Sequence, residues 1–326
     1  MVGRGESASA PDNFADGRAT LAIIAATRRA RFMSYFIPLV IDGALAGVLY
    51  ALIALAFVLV YKASGMMNFA LGEWVVFGAV LAGTGLHYFQ LGTVGALIFA
   101  AIGMIALTAG FYRLVVRRLV ARPALSAIMA TLGLGMVMRG SGLLVFSGAP
   151  SLLPPSLLSE PMVIDGVAIS AGKLACAGVA ALCVALIGGF WRFSRTGIAL
   201  RAIADDPQTA MACGIDVDRH LLIVWSLAGM VAVVGGVLWT FVTGGGFGVA
   251  LIGLKVFPIV ILGGLDSIAG TIVAALAVGV LESLGAGYLD EAVGRGFGAI
   301  APYIALLAML TLRPHGLFGQ SRVERI

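Results

Sequence analysis

The chain has 326 residues, 60% of them hydrophobic and only 11% charged, with a mean hydropathy of +1.05. A soluble domain of this composition could not wet its surface, so the chain reads as an all-α, polytopic transmembrane helical bundle. The net charge of +5 sits in a few short loops, a pattern that orients helices in a bilayer and is not a nucleic-acid footprint.

Residues 1–32 are polar, Gly/Ala-rich and Arg-bearing. The apolar run Leu21–Ala26 is too short for a signal-peptide core. Thr27–Met33 resembles a twin-arginine export signal only loosely, and no small-residue cleavage site follows. Two readings remain: a disordered tail, or a translation start placed too early with Met33 as the true start. The second is preferred on the topological ground given below.

A transmembrane domain is expected over 33–319, followed by a short cytoplasmic tail over 320–326. Apolar segments fall at 34–61, 65–87, 92–112, 124–147, 173–191, 220–242, 248–264, 268–289 and 298–312. They imply about eight to ten spans, allowing for broken or re-entrant helices. The stretch 248–289 is long enough for two crossings and breaks at Gly263-Gly264-Leu265-Asp266-Ser267. The 45 glycines suit helices packed closely through small residues.

Lys62, the cluster Arg113/Arg117/Arg118/Arg122, the group Arg192/Arg195/Arg201/Arg219, and Arg313/Arg322/Arg325 fall on one side. The other side carries Glu160, Asp165, Asp290 and Glu291, with Lys173 and Arg295 as its only basic residues. The Arg-rich side is therefore cytoplasmic and the N-terminus external. A tail bearing Arg28, Arg29 and Arg31 opposes that orientation, and a start at Met33 removes the conflict. The external loop 148–172 holds four prolines. Within it Met162–Ile169 reads as a hairpin turning at Asp165-Gly166, able to dock a soluble partner or to cap the bundle.

The cytoplasmic loop 192–219 holds a polar island, Gly197 to Ile215. Asp206-Pro207 is a helix start, and Gly214 suits the left-handed residue that ends one. The helix between them, Pro207–Cys213, is too short to be stable alone. It is held by neighbours, either to sit in another protein's groove or to lie on the membrane surface.

Gly197, Arg201, Ala202, Asp206, Ala210, Gly214 and Ile215 follow a spacing that resembles the coupling loop of ABC importer permeases of the branched-chain amino acid family. Gly47–Trp74 resembles that family's first-span signature, in which an Asn-Phe-Ala-x-Gly-Glu segment opens the second span. Phe257–Ser283, with Glu282 at the family's glutamate position, and Leu312–Gly319 match as well. Together the matches cover nearly everything after Met33. Leu71 stands where the family often has His, and Asp266 where Gly is common. The resemblance implies a permease in a bacterial inner (plasma) membrane. Its implied partners are two P-loop ATPase subunits, a second permease subunit, identical or not, and a periplasmic solute-binding protein. It implies branched-chain amino acids or a related small polar solute, with Arg201, Asp206, Pro207, Ala210 and Gly214 coupling to the ATPase.

Glu73, Arg139, Lys255 and Glu282 fall within spans, where each must face the interior and find a partner. Asn68 and Glu73 either line the pathway or, for Glu73, clamp neighbouring helices. Ser64 or Asn68 is expected to cap the second span. Lys255 and Glu282, on adjacent spans, are expected to pair and are candidates for substrate contact. Arg139 reads as structural, and Asp42 as interfacial. The chain has no G-x-x-x-x-G-K-[ST] string, so no ATPase site of its own is expected. Three cysteines make no disulfide framework, and His87, His220 and His315 lack metal-ligand spacing. No enzyme active site, cofactor or metal is expected. The alternative reading is a stand-alone channel or secondary transporter, which leaves the capped loop helix unexplained.

Overall fold

The computed structural model describes residues 13–119, 122–145, 161–164, 167–244, 247–294, 296–313 and 316–319, with most of their side chains from Tyr35 onward. Its helices are α1 (Asn13–Ser64), α2 (Leu71–His87), α3 (Gly92–Phe111), α4 (Ala124–Val145), α5 (Ala171–Phe193), α6 (Arg195–Asp205), α7 (Pro207–Ala212), α8 (Val217–Thr243), α9 (Ile252–Gly263), α10 (Ile268–Leu284) and α11 (Phe297–Leu312). Two short strands, β1 (Pro161–Ile164) and β2 (Val167–Ser170), pair antiparallel with Met162 opposite Ile169. That is the expected hairpin; its Asp165-Gly166 turn lies outside the described residues.

Five helical stretches are long and apolar enough to cross a membrane: Tyr35–Ser64, Gly92–Leu119 (α3 continued through a π-helical turn, Tyr112–Val116), Ala171–Phe193, Val217–Thr243 and Ile268–Leu289 (α10 continued through a π-helical turn, Gly285–Leu289). Three shorter apolar helices, Leu71–His87, Val249–Gly263 and Phe297–Leu312, accompany them. The chain is a polytopic helical membrane bundle.

The central element is α1. From Leu49 to Val60 no residue is more than 3% exposed, because this stretch is apolar all round and can only be enclosed. α10 lies directly against it. A Cβ on Gly43 would come within 2.6 Å of the Gly279 carbonyl oxygen, and one on Gly47 within 2.8 Å of that of Ala275. Small residues at this four-residue spacing let the two backbones touch, which is how helices associate where lipid offers no hydrophobic drive. α2 packs on α8 in the same way: a Cβ on Gly78 would meet the Val233 Cα at 2.6 Å.

The helix boundaries differ from the sequence reading in three places. α1 is helical from Asn13, well before residue 34, as an Ala-rich run of good helix formers allows; Met1–Asp12 lie outside the described residues. The second span does not begin at residue 65. Gly65 turns with φ +67°, and residues 65–70 are non-helical before α2 starts at Leu71. The segment 248–264 is not one helix: a 3-10 turn, Phe247–Leu251, precedes α9. At 12 residues, α9 is roughly 18 Å long and too short to cross a core of about 30 Å.

Charged groups gather at the two ends. At one end the Lys62 ammonium donates to the Asp266 carbonyl at 2.8 Å, and Arg117 pairs with Asp218 at 3.2 Å. At the other, Asp42 pairs with Lys173 at 2.6 Å, which fits the interfacial place expected for Asp42. Glu160, Asp165 and Arg295 lie outside the described residues.

Candidate functional site

The first polar feature is the break before α2. Asn68 is 1% exposed, although its backbone is non-helical. Irregular backbone at such depth must be satisfied from inside the protein. One face of α4 does this at four-residue intervals. The Thr131 hydroxyl accepts from the Phe69 N–H at 3.2 Å and lies 3.4 Å from the Met67 carbonyl. Gly135 leaves room for Ala70 and the Glu73 side chain, 3.6 Å from its would-be Cβ. Arg139 then reaches Glu73 through Nε at 2.8 Å and a terminal nitrogen at 2.6 Å, both on Oε1. Glu73 on α2 is thereby tied to Arg139 on α4. Asn68 does not cap α2. Its Oδ1 accepts from the Ala70 N–H at 3.0 Å, closing a local turn, and the capping residue is Ala70 with no side-chain bond. Ser64 donates to the Val60 carbonyl at 2.7 Å and accepts from the Met66 N–H at 3.3 Å, so it serves the turn out of α1 and does not cap α2. Buried Asn68 Nδ2 and Glu73 Oε2 have no partner among the described residues.

The second feature is a triad. Lys255 on α9 pairs with Oε1 of Glu282 on α10. The Tyr50 hydroxyl of α1 donates to Oε2 of the same carboxylate at 2.7 Å. The Lys255 ammonium also lies 3.4 Å from the Tyr50 oxygen and 5.7 Å from its ring centroid. Lys255 and Glu282 keep 25% and 21% of their side chains exposed, so the pair is reachable. Glu282 lies about 14 residues from the start of α10 at Ile268, and Tyr50 about 14 residues from the end of α1. Both are thus roughly 21 Å from the Lys62 end. Tyr50 was not singled out from sequence. Its signal is the i, i+7, i+11 stripe of Tyr50, Phe57 and Tyr61 on one face of α1.

The third feature is the loop helix. Asp206 caps α7 by accepting from the Gln208 N–H at 2.9 Å and the Thr209 hydroxyl at 2.5 Å, with Pro207 at the first helical position. These bonds, the Thr209 hydroxyl foremost, hold the Asp206 carboxyl below the usual carboxylate range. At the other end Gly214 has φ +81°. The Ile215 N–H bonds the Ala210 carbonyl at 3.0 Å and the Gly214 N–H that of Met211 at 2.9 Å, a Schellman closure. Ala210 is buried and joins the main core, while Met211 is 55% exposed. Arg201, on α6, is half-buried and donates to the Arg192 carbonyl at 3.3 Å, tying α6 back to the end of α5. A cleft of about 740 Å³ opens beside α7, lined by Tyr61, Lys62, Asp205, Pro207, Ile261 and Asp266 among others. Among the described residues no cluster of His, Cys, Asp or Glu could hold a metal.

A bundle of apolar helices around broken elements, with paired charges at depth and a doubly capped loop helix at one end, defines a multi-pass helical membrane protein. Residues 39–312 match the family described as the branched-chain amino acid transport system / permease component, and the chain belongs to that family. It is 28% identical over 320 residues to the high-affinity branched-chain amino acid transport system permease protein LivH of Escherichia coli (strain K12), covering 90% of this chain and 98% of that one. It is 29% identical over 295 residues to the probable branched-chain amino acid transport permease protein LivH of Methanocaldococcus jannaschii, covering 83% of this chain and 89% of that one. Among solved structures, PsaBC from Streptococcus pneumoniae in complex with Fab aligns with a TM-score of 0.42 at 18% identity, covering 82% of this chain and 90% of that one.

Proposed function

We propose that this chain is the membrane-spanning subunit of an ATP-driven importer for branched-chain amino acids or a related small polar solute, in a bacterial inner membrane. In this reading an external binding protein delivers the solute, this chain and a second permease subunit form the path, and two separate P-loop ATPase subunits drive it. The observation that carries the reading is the construction of α7. A six-residue helix has little stability of its own, yet this one is capped at both ends and anchored by buried Ala210. It still presents Met211, Gln208 and Thr209 to solvent. That is a rigid knob at the basic end of the bundle, suited to transmit a push from a soluble partner. Asp206, Pro207 and Gly214 build it, Ala210 seats it and Arg201 braces its base.

The pathway is assigned to Lys255 and Glu282 with Tyr50, beside the segment held by Asn68 and Glu73. A cation and an anion side by side complement a zwitterion, whose carboxylate and ammonium can exchange with the pair's own bond. The test is Gly214→Val in the reconstituted complex. A β-branched residue resists φ +81°, so ATP hydrolysis should persist while uptake falls by tenfold or more. Uptake at the wild-type rate would remove α7 from the coupling role.

A further inference from the structure

Between the triad and the cleft lies a column of aromatic rings. Tyr61, on the cleft wall, stacks toward Phe57 at 6.4 Å between centroids. Phe57 meets Phe257 of α9 edge-on at 5.2 Å. Phe257 in turn stacks on Phe69 of the non-helical segment at 4.6 Å. Three separate elements (α1, α9 and the break before α2) thus each contribute a ring to one contact. Its level follows from the helix termini. Phe57 lies about seven residues from Ser64 and Phe257 about six from Gly263, so both are roughly 10 Å from the end where the cleft opens. The triad's Tyr50 and Glu282 lie roughly twice as far in. On α1 the order along one face is Tyr50, Phe57, Tyr61: polar station, ring contact, cleft.

We propose that Phe57, Phe69 and Phe257 form the inner gate of the path, closed in this conformation, and that they part when the α7 end of the bundle moves. The placement rests on the importer reading above; the seal itself is a property of the rings. An apolar constriction excludes hydrated ions by dewetting, and offset or edge-on rings hold one another at about 0.5–1.5 kcal/mol per pair beyond burial, weak enough to reopen. Two features make the contact movable. Phe69 sits on non-helical backbone fastened to α4 through Thr131, so a shift of α4 carries the ring with it. Phe257 precedes Pro258, which interrupts the hydrogen-bond ladder of α9. Phe69 and Phe257 are half-buried while Phe57 is fully buried, so Phe69 and the middle ring, Phe257, have room that Phe57 lacks.

The experiment is passive proton conductance in liposomes containing the purified chain with its associated subunits, read by an interior pH dye under an imposed gradient without ATP. Phe257→Ala and Phe69→Ala should each raise the leak severalfold, while Phe257→Tyr should match wild type. ATP hydrolysis, read in parallel, should be retained. Both alanine variants assembling normally with wild-type conductance would overturn the gate. If Phe257→Ala does not assemble, Phe69→Ala alone decides, since its ring leaves a segment still tied by Thr131. Failure of the importer reading would register differently, as absent ATP hydrolysis in the wild-type preparation, with the leak comparison still readable.

Discussion

Removing Arg139 should be far more damaging than removing the whole Glu73–Arg139 pair. Glu73 keeps only 10% of its side chain exposed, and both bonds from Arg139 converge on its Oε1. Its Oε2 is buried without a partner among the described residues. Arg139→Met would leave a carboxylate inside the bundle with no cation facing it, at a cost of about 3–5 kcal/mol. Glu73→Gln/Arg139→Met removes the charge along with the pair, so the double variant should regain about half of that loss or more, because neutral groups carry a smaller desolvation penalty. The assay is reversible unfolding by SDS in mild-detergent micelles, followed by far-UV circular dichroism and read as a double-mutant cycle. A double variant no more stable than Arg139→Met would refute the argument that Glu73 is charged and held by Arg139.

Other substitutions test other parts of the account. Gly47→Leu should destabilise by about 1–3 kcal/mol or more, since even a Cβ there approaches the Ala275 oxygen at 2.8 Å; Gly110→Ala, with open space around it, should be neutral or slightly stabilising in the same melt. The Asp206 cap should titrate. Its carboxyl is held below the ordinary value by Thr209 and the Gln208 N–H, so the stabilisation is complete above the unfolded-state value and is lost as pH falls through the folded one. A nitroxide on exposed Cys213 should gain mobility only in that acid range, and Asp206→Asn should abolish the pH dependence. Lys255→Met should cut uptake by more than tenfold, and adding Glu282→Gln should restore melting temperature without restoring uptake; recovery of both would make the pair structural only.

The helical bundle was legible because continuous apolar runs leave few alternatives, and the Lys255–Glu282 pair because unpartnered charges in lipid must meet. The caps of α7 were equally readable, since Asp-Pro and Gly mark a short helix at both ends. What sequence reasoning misplaced was the local geometry around the second span. Asn68 looked like a helix cap, yet it bonds two residues ahead, and the α4 face of Thr131, Gly135 and Arg139 that supports this break is invisible to any local rule. Tyr50 was passed over because a tyrosine amid apolar residues reads as packing until its hydroxyl is seen on Glu282. The ring column required three distant segments to be brought together, which periodicity in one helix cannot reveal.

Co-purification from native membranes in mild detergent, with every associated chain identified by mass spectrometry, tests the central claim most directly. The account predicts a P-loop ATPase and a second permease subunit in a stable complex, with ATP-dependent solute uptake after reconstitution. Recovery of this chain alone, transporting solute in liposomes without ATP, would contradict it and establish a channel or secondary transporter.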